Sequence, residues 1–127
     1  MTTHKGGCHC GRVRFEVDAP GDIEADQCNC SICRKSGYLH MIVPKQDFRL
    51  IAGEDDLETY TFNTKDARHY FCRHCGIKSF YVPRSHPNGI SVNTNCLEPE
   101  TILSLKITPF DGSNWEENAY KLSSLSD

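Results

Sequence analysis

The chain has 127 residues, 38% of them hydrophobic and 24% charged, which fits one globular domain and leaves little room for a second. A formal charge of −3 argues against nucleic acid or an anionic membrane surface as a partner, and no apolar run is long enough for a spanning helix. The opening Met1-Thr-Thr-His-Lys5 lacks the apolar stretch of a signal peptide, so a cytoplasmic protein is expected.

In chain order, Gly6-Gly7 leads into Cys8-His9-Cys10-Gly11. Residues 12–17 alternate, with Val13, Phe15 and Val17 on one face, and predict a half-buried strand. Ala19-Pro20-Gly21-Asp22 predicts a turn. In Cys28-Asn-Cys30-Ser-Ile-Cys33, Ser31 is expected to cap a short helical turn that Gly37 ends. Strands are expected over 38–44, 48–52, 57–63, 89–93 and 102–107, with two more between Arg68 and Val82 joined by Cys72-Arg-His-Cys75-Gly76. Pro109-Phe-Asp-Gly112 reads as a turn. Asn114 with Glu117 three residues on resembles a capping box and predicts a short C-terminal helix to about Leu122. The fold class that results is mainly β, a single domain over residues 1–127.

Eight cysteines in such a chain call for an explanation. A disulfide scaffold requires an oxidising compartment, and thiols one or two residues apart seldom make structural bridges. Such thiols are well placed to share one cation. Thiolates select zinc, copper(I) or iron–sulfur clusters; the iron–sulfur spacings are absent, and zinc is the default for paired Cys-x-Cys and Cys-x-x-Cys.

The clusters divide by spacing. Cys8-x-Cys10-Gly11 and Cys72-x-x-Cys75-Gly76 each end in cysteine–glycine, a knuckle in which backbone N–H groups turn toward sulfur and glycine accepts a positive φ. Two knuckles supply four sulfurs, so Cys8, Cys10, Cys72 and Cys75 are expected to hold a structural zinc. Cys28, Cys30 and Cys33 supply three. Spacing alone leaves two readings: an exchangeable fourth position, as in catalytic zinc sites, or a second staple closed by Cys96 or a histidine. Thiolates on a dication leave these sites anionic, and Arg12, Arg34, Lys35, Arg73 and Lys78 stand nearby in sequence as compensation. His9 and His74 read as spacers inside the knuckles. His40, in an apolar strand, reads as a satisfied core residue.

Gly6-Gly-Cys8-His-Cys10-Gly, Cys28-Asn-Cys30-Ser-Ile-Cys33-Arg-Lys and Phe71-Cys72-Arg-His-Cys75-Gly, in this order, resemble the glutathione-dependent formaldehyde-activating enzyme family over about residues 5–110. Thr59-Tyr-Thr-Phe-Asn-Thr64, Ser79-Phe-Tyr-Val-Pro-Arg-Ser85 and Asn95-Cys-Leu97 look most like the centromere protein V branch of that family. The resemblance implies a β-tent fold of packed antiparallel sheets and two zinc ions per chain. Cys8, Cys10, Cys72 and Cys75 would hold the structural ion, and Cys28, Cys30 and Cys33 the functional one. It further implies a carbon–sulfur lyase acting on a thiol–aldehyde adduct such as S-hydroxymethylglutathione, with glutathione and formaldehyde as its small-molecule partners. Lys35, Arg34 or Arg84 would then meet the carboxylates of a glutathione-like tripeptide. A non-catalytic zinc module for a protein or small thiol, or a redox-sensing thiolate site, are the competing readings.

Overall fold

A computed structural model of the chain describes residues 1–62 and 67–111. It is mainly β, with ten strands and one short helix among the described residues. The chain runs β1 (Thr2–Gly7), β2 (Arg14–Ala19), β3 (Asp22–Cys28), α1 (Ser31–Ser36), β4 (Leu39–Pro44), β5 (Phe48–Ala52), β6 (Leu57–Tyr60), β7 (Arg68–Cys72), β8 (Phe80–Val82), β9 (Gly89–Asn93) and β10 (Ser104–Phe110). Two sheets form: one of three strands in the order β1-β2-β5, and one of seven in the order β10-β3-β4-β9-β8-β7-β6. Neighbours pair antiparallel, except that β10 lies parallel to β3.

The alternation read in residues 12–17 is borne out, since Phe15 and Val17 are fully buried with Val13. The strand itself begins later, at Arg14, because the Val13 amide is taken by the Cys8 sulfur at 3.3 Å and leaves the ladder. Phe15 and Val17 meet the large sheet across an apolar layer. Phe48 stacks on Phe15 at 5.3 Å and tilts against Phe80 at 4.8 Å, and Ile23, Met41, Val43, Ile90 and Val92 fill the layer. Gly6 sits against the Phe15 ring, where a Cβ would lie 2.5 Å from its edge, so β1 can approach only with glycine there.

The large sheet is covered on its second face too. Strand alternation sends Phe80 into the first layer and Tyr81 into a second cluster made of Cys28, Cys33, Tyr38, Tyr81 and Phe110. β4 is buried along its middle on both faces for the same reason.

Several sequence expectations shift. Gly37 does end the helix, at φ 64°, but Cys30 rather than Ser31 occupies the N-cap, with no side-chain capping bond. The Cys30 carbonyl accepts the Arg34 amide at 2.9 Å, so the first turn closes directly on the cysteine cluster. Pro109 and Phe110 extend β10 instead of turning. β10 is an edge strand paired only with β3, where proline's missing N–H costs the ladder nothing. The strand expected over 102–107 accordingly begins at Ser104, and the one over 57–63 is described as Leu57–Tyr60. β1 and β3 were not foreseen. The expected C-terminal helix, Asn114 to Leu122, lies outside the described residues.

Candidate metal centres

The first cluster joins two loops distant in sequence. After β1, the chain folds back on itself with Cys8 N–H donating to the Val13 carbonyl, and Gly11 takes φ 82°. After β7, Gly76 takes φ 77° and donates its N–H to the Cys72 carbonyl at 2.8 Å. The positive φ expected of the two cysteine–glycine knuckles is present at both. Amides also point at sulfur as expected, Val13 to Cys8 at 3.3 Å and His74 to Cys72 at 3.4 Å.

The sulfurs of Cys8, Cys10, Cys72 and Cys75 all lie within 4.8 Å of one another. Cys8 to Cys10 is 3.5 Å and Cys10 to Cys72 is 3.6 Å. Bonds of about 2.3 Å to a tetrahedral zinc put sulfurs roughly 3.8 Å apart, whereas a disulfide needs about 2.05 Å. All eight cysteines are free thiols. The spacing therefore suits a shared cation. Electrostatics agree. Burial pushes Cys8 up to about 11, while the Arg12 amide and guanidinium lower Cys10. Burial alone would raise Cys75, but the Cys10 and Ile77 amides and the neighbouring thiols bring it down to about 6. Arg12 provides the compensating charge expected of it, and its own pKa rises from its bond to Cys10. Arg73 instead pairs with Glu58 at 3.5 Å, and the His74 ring meets Asp56 at 2.8 Å, so its side chain is a spacer while its amide faces Cys72.

The second cluster is local. Cys28 ends β3, Cys30 caps α1 and Cys33 lies within it. Hydrogen bonding among the three thiols holds Cys30 well below its usual range through Cys28 and Cys33, and the same bonds push Cys33 up. Cys28 and Cys33 are buried and Cys30 is half-buried. The structure adds a residue to this group: a ring nitrogen of His40 lies within 4.8 Å of both the Cys28 and Cys33 sulfurs. Cys96 does not join. Its sulfur is 3.9 Å from the Lys78 carbonyl and packs against the apolar layer between the sheets.

Around this cluster the outer face of the large sheet carries polar groups in an aromatic setting. The Tyr38 hydroxyl donates to the Ser91 carbonyl at 2.7 Å, and Tyr38 meets His40 edge-on and Tyr81 at 5.3 Å. Lys78 Nζ stands 4.2 Å over the Tyr81 ring and 4.7 Å over Tyr38. Burial lowers its pKa to about 8, against the opposing pull of Cys33, Cys30 and Cys28. Lys78, close in sequence to Cys75 of the first cluster, thus faces the second as its compensating charge. Burial also lowers His40 and His69 to about 4, so both rings are neutral.

His40 corrects the sequence reading. Its Nδ1 is 3.1 Å from the Tyr81 hydroxyl, but its buried Nε2 has no partner among the described residues, so the ring is not a satisfied core residue. By contrast His4 is satisfied at both nitrogens, by Thr101 at 2.7 Å and the Pro20 carbonyl at 3.0 Å.

A cleft of about 650 Å³ opens beside the second cluster, lined by Cys28, Cys33, Arg34, Tyr38, Asn95 and Phe110 among others. No helix of the described residues is long and apolar enough to cross a membrane.

Fold and sites together define a mainly β protein with two thiolate-rich groups able to hold metal ions. A family model described as "Glutathione-dependent formaldehyde-activating enzyme" matches residues 3–111, and the chain belongs to that family. It is 33% identical over 116 residues to a Halomonas elongata protein that carries the name of this enzyme provisionally, the match covering 81% of this chain and 74% of that one. A crystal structure of a Rhodobacter sphaeroides protein superposes with a TM-score of 0.70 at 37% identity, covering 82% of this chain and 99% of the other.

Proposed function

We propose that the chain is a zinc-dependent carbon–sulfur lyase acting on a thiol–aldehyde adduct of the S-hydroxymethylglutathione kind. The observation that carries this reading is the setting of the second cluster: Cys28 and Cys33 border a cleft of substrate size. In this reading Cys8, Cys10, Cys72 and Cys75 hold one zinc, and Cys28, Cys30 and Cys33 hold the second with a position open to exchange. The orphaned His40 nitrogen and the packed, unbridged sulfurs of the second cluster support a cation there.

Zinc bound by these thiolates would favour the thiolate form of a substrate sulfur and polarise an aldehyde oxygen. The chain's own groups do the rest. Arg34, on the wall of the cleft, offers a fork for a carboxylate of a glutathione-like tripeptide. Phe110 and Tyr38 supply apolar walls that limit water. Holding thiol and aldehyde side by side accelerates their addition, and by reversibility the breakdown of the adduct. In the lyase direction the carbon–sulfur bond breaks, the hydroxyl of the adduct becomes the aldehyde carbonyl, and its proton ends on the departing sulfur.

Exchange NMR of glutathione with formaldehyde tests this. Zinc-loaded protein should accelerate interconversion with S-hydroxymethylglutathione, and Cys30→Ser should abolish the acceleration without unfolding the chain. No acceleration by the zinc-loaded protein would leave a non-catalytic zinc module as the surviving reading.

A further inference from the structure

We propose that His40 is a metal ligand: its Nε2 supplies a nitrogen donor to the Cys28, Cys30 and Cys33 centre. Three observations converge. A ring nitrogen of His40 lies within 4.8 Å of the Cys28 and Cys33 sulfurs, a set that Cys30 does not complete as closely. Nε2 is buried and has no hydrogen-bond partner among the described residues, a costly state for a ring nitrogen unless something else meets it. Nδ1, in contrast, is engaged at 3.1 Å by the Tyr81 hydroxyl.

The two nitrogens fit a ligating histidine. A ring that binds a cation through Nε2 carries its proton on Nδ1, and that proton needs an acceptor to fix the tautomer and the ring's orientation. The Tyr81 oxygen is placed to accept it. Tyr81 is itself held by Tyr38 at 5.3 Å and by His69, stacked on it at 4.7 Å, so the acceptor is built into the core. Register fixes His40 as well: it faces Asn93 across β4 and β9 and Asp26 across β4 and β3. The donor set is then three sulfurs and one nitrogen, a usual composition for zinc.

This inference rests on the reading that the second cluster holds a metal, and it deepens that reading. The His40 nitrogen is then the exchangeable fourth donor, which a substrate sulfur entering the centre would have to displace.

The test uses the full chain. With ¹⁵N-labelled histidine and ¹¹³Cd²⁺ in place of zinc, His40 Nε2 should show coupling to cadmium while Nδ1 carries the proton. In Co²⁺ titrations, His40→Ala should weaken the second equivalent by at least the roughly 10- to 100-fold typical of losing an outer-shell partner of a ligand, and leave the first unchanged. Its visible band should shift from an S₃N to an S₃O pattern. If wild-type chain binds two metals with no cadmium coupling at His40, the ligand assignment fails while the second centre stands. If it binds only one, held by the first cluster, the second centre fails and His40 with it. The NMR arm requires no variant, so a His40→Ala chain that does not fold leaves the proposal open to refutation.

Discussion

The two cysteine clusters use the same chemistry at different distances along the chain. The first joins sulfurs 62 residues apart, Cys10 to Cys72, and so ties the small sheet's loop to the far end of the large sheet. The second gathers its donors from the end of β3, α1 and the start of β4. Treated as cross-links, closing a loop of about 60 residues restricts the unfolded chain by about 4 kcal/mol, and one of about 12 residues, Cys28 to His40, by about 3 kcal/mol. The first centre is thus suited to stabilising the fold. The second adds less to stability and lies where a ligand can reach it, beside the cleft.

The largest expected effect breaks the first centre. Cys72 is fully buried, and Cys72→Ser should cost about 4 kcal/mol or more, a large part of a domain's whole stability. Thermal melts should show loss of the cooperative transition near physiological temperature. Equal melting of Cys72→Ser and wild type would erase the contrast between the clusters.

Cys30→Ser should come next. It should leave the melt within about 1–2 kcal/mol of wild type while the second metal equivalent weakens, read by metal analysis after gel filtration. A stepwise chelator titration sharpens the same point. One metal should leave with far-UV circular dichroism unchanged, and the second should leave with unfolding. Simultaneous release would mean that the centres are not separable.

Tyr81→Phe removes the acceptor for His40 Nδ1 and keeps the ring stack, so it should weaken the second metal alone, by about tenfold or less, in Co²⁺ titration.

Smallest is a change away from both centres. Arg49 donates two hydrogen bonds to Asp18 at 2.9 Å and, with help from Thr3, lowers its pKa from 3.8 to about 2. A carboxyl held below its unfolded value contributes stability above pH 3.8 and loses it as the pH falls toward 2. Asp18→Asn should flatten that limb of the acid-unfolding curve slightly, since the half-buried pair is still partly screened by water, and leave both metals in place.

The sequence was most informative where spacing and backbone rules act locally. The knuckles were legible because cysteine–glycine at a fixed offset dictates a positive φ, and Gly11 and Gly76 both adopt it. Val13, Phe15 and Val17 were legible because period-two alternation marks a buried face. β1 escaped notice because Thr2 to Gly7 is polar and glycine-rich; it is a strand through pairing with β2. β3 escaped because it pairs with the next strand, β4, at only two positions, while its longer pairing is to β10, which meets it in parallel through a distant return of the chain. Ser31 was a sound cap by propensity, displaced because the helix starts on Cys30 to close round the sulfurs.

By itself, then, the sequence determined the local Cys28, Cys30 and Cys33 set, the knuckle geometry and the mainly β class, since each follows from residues close together in the chain; the two distant knuckles were joined only through their shared cysteine–glycine motif. Tertiary structure alone decided that Cys96 stays apart from the second cluster and that a cleft opens beside it. It also decided that His40 reaches that cluster with one nitrogen on Tyr81 and the other unpartnered. Those outcomes depend on which strands become neighbours, and pairing across 41 residues leaves no mark on the spacing of either partner.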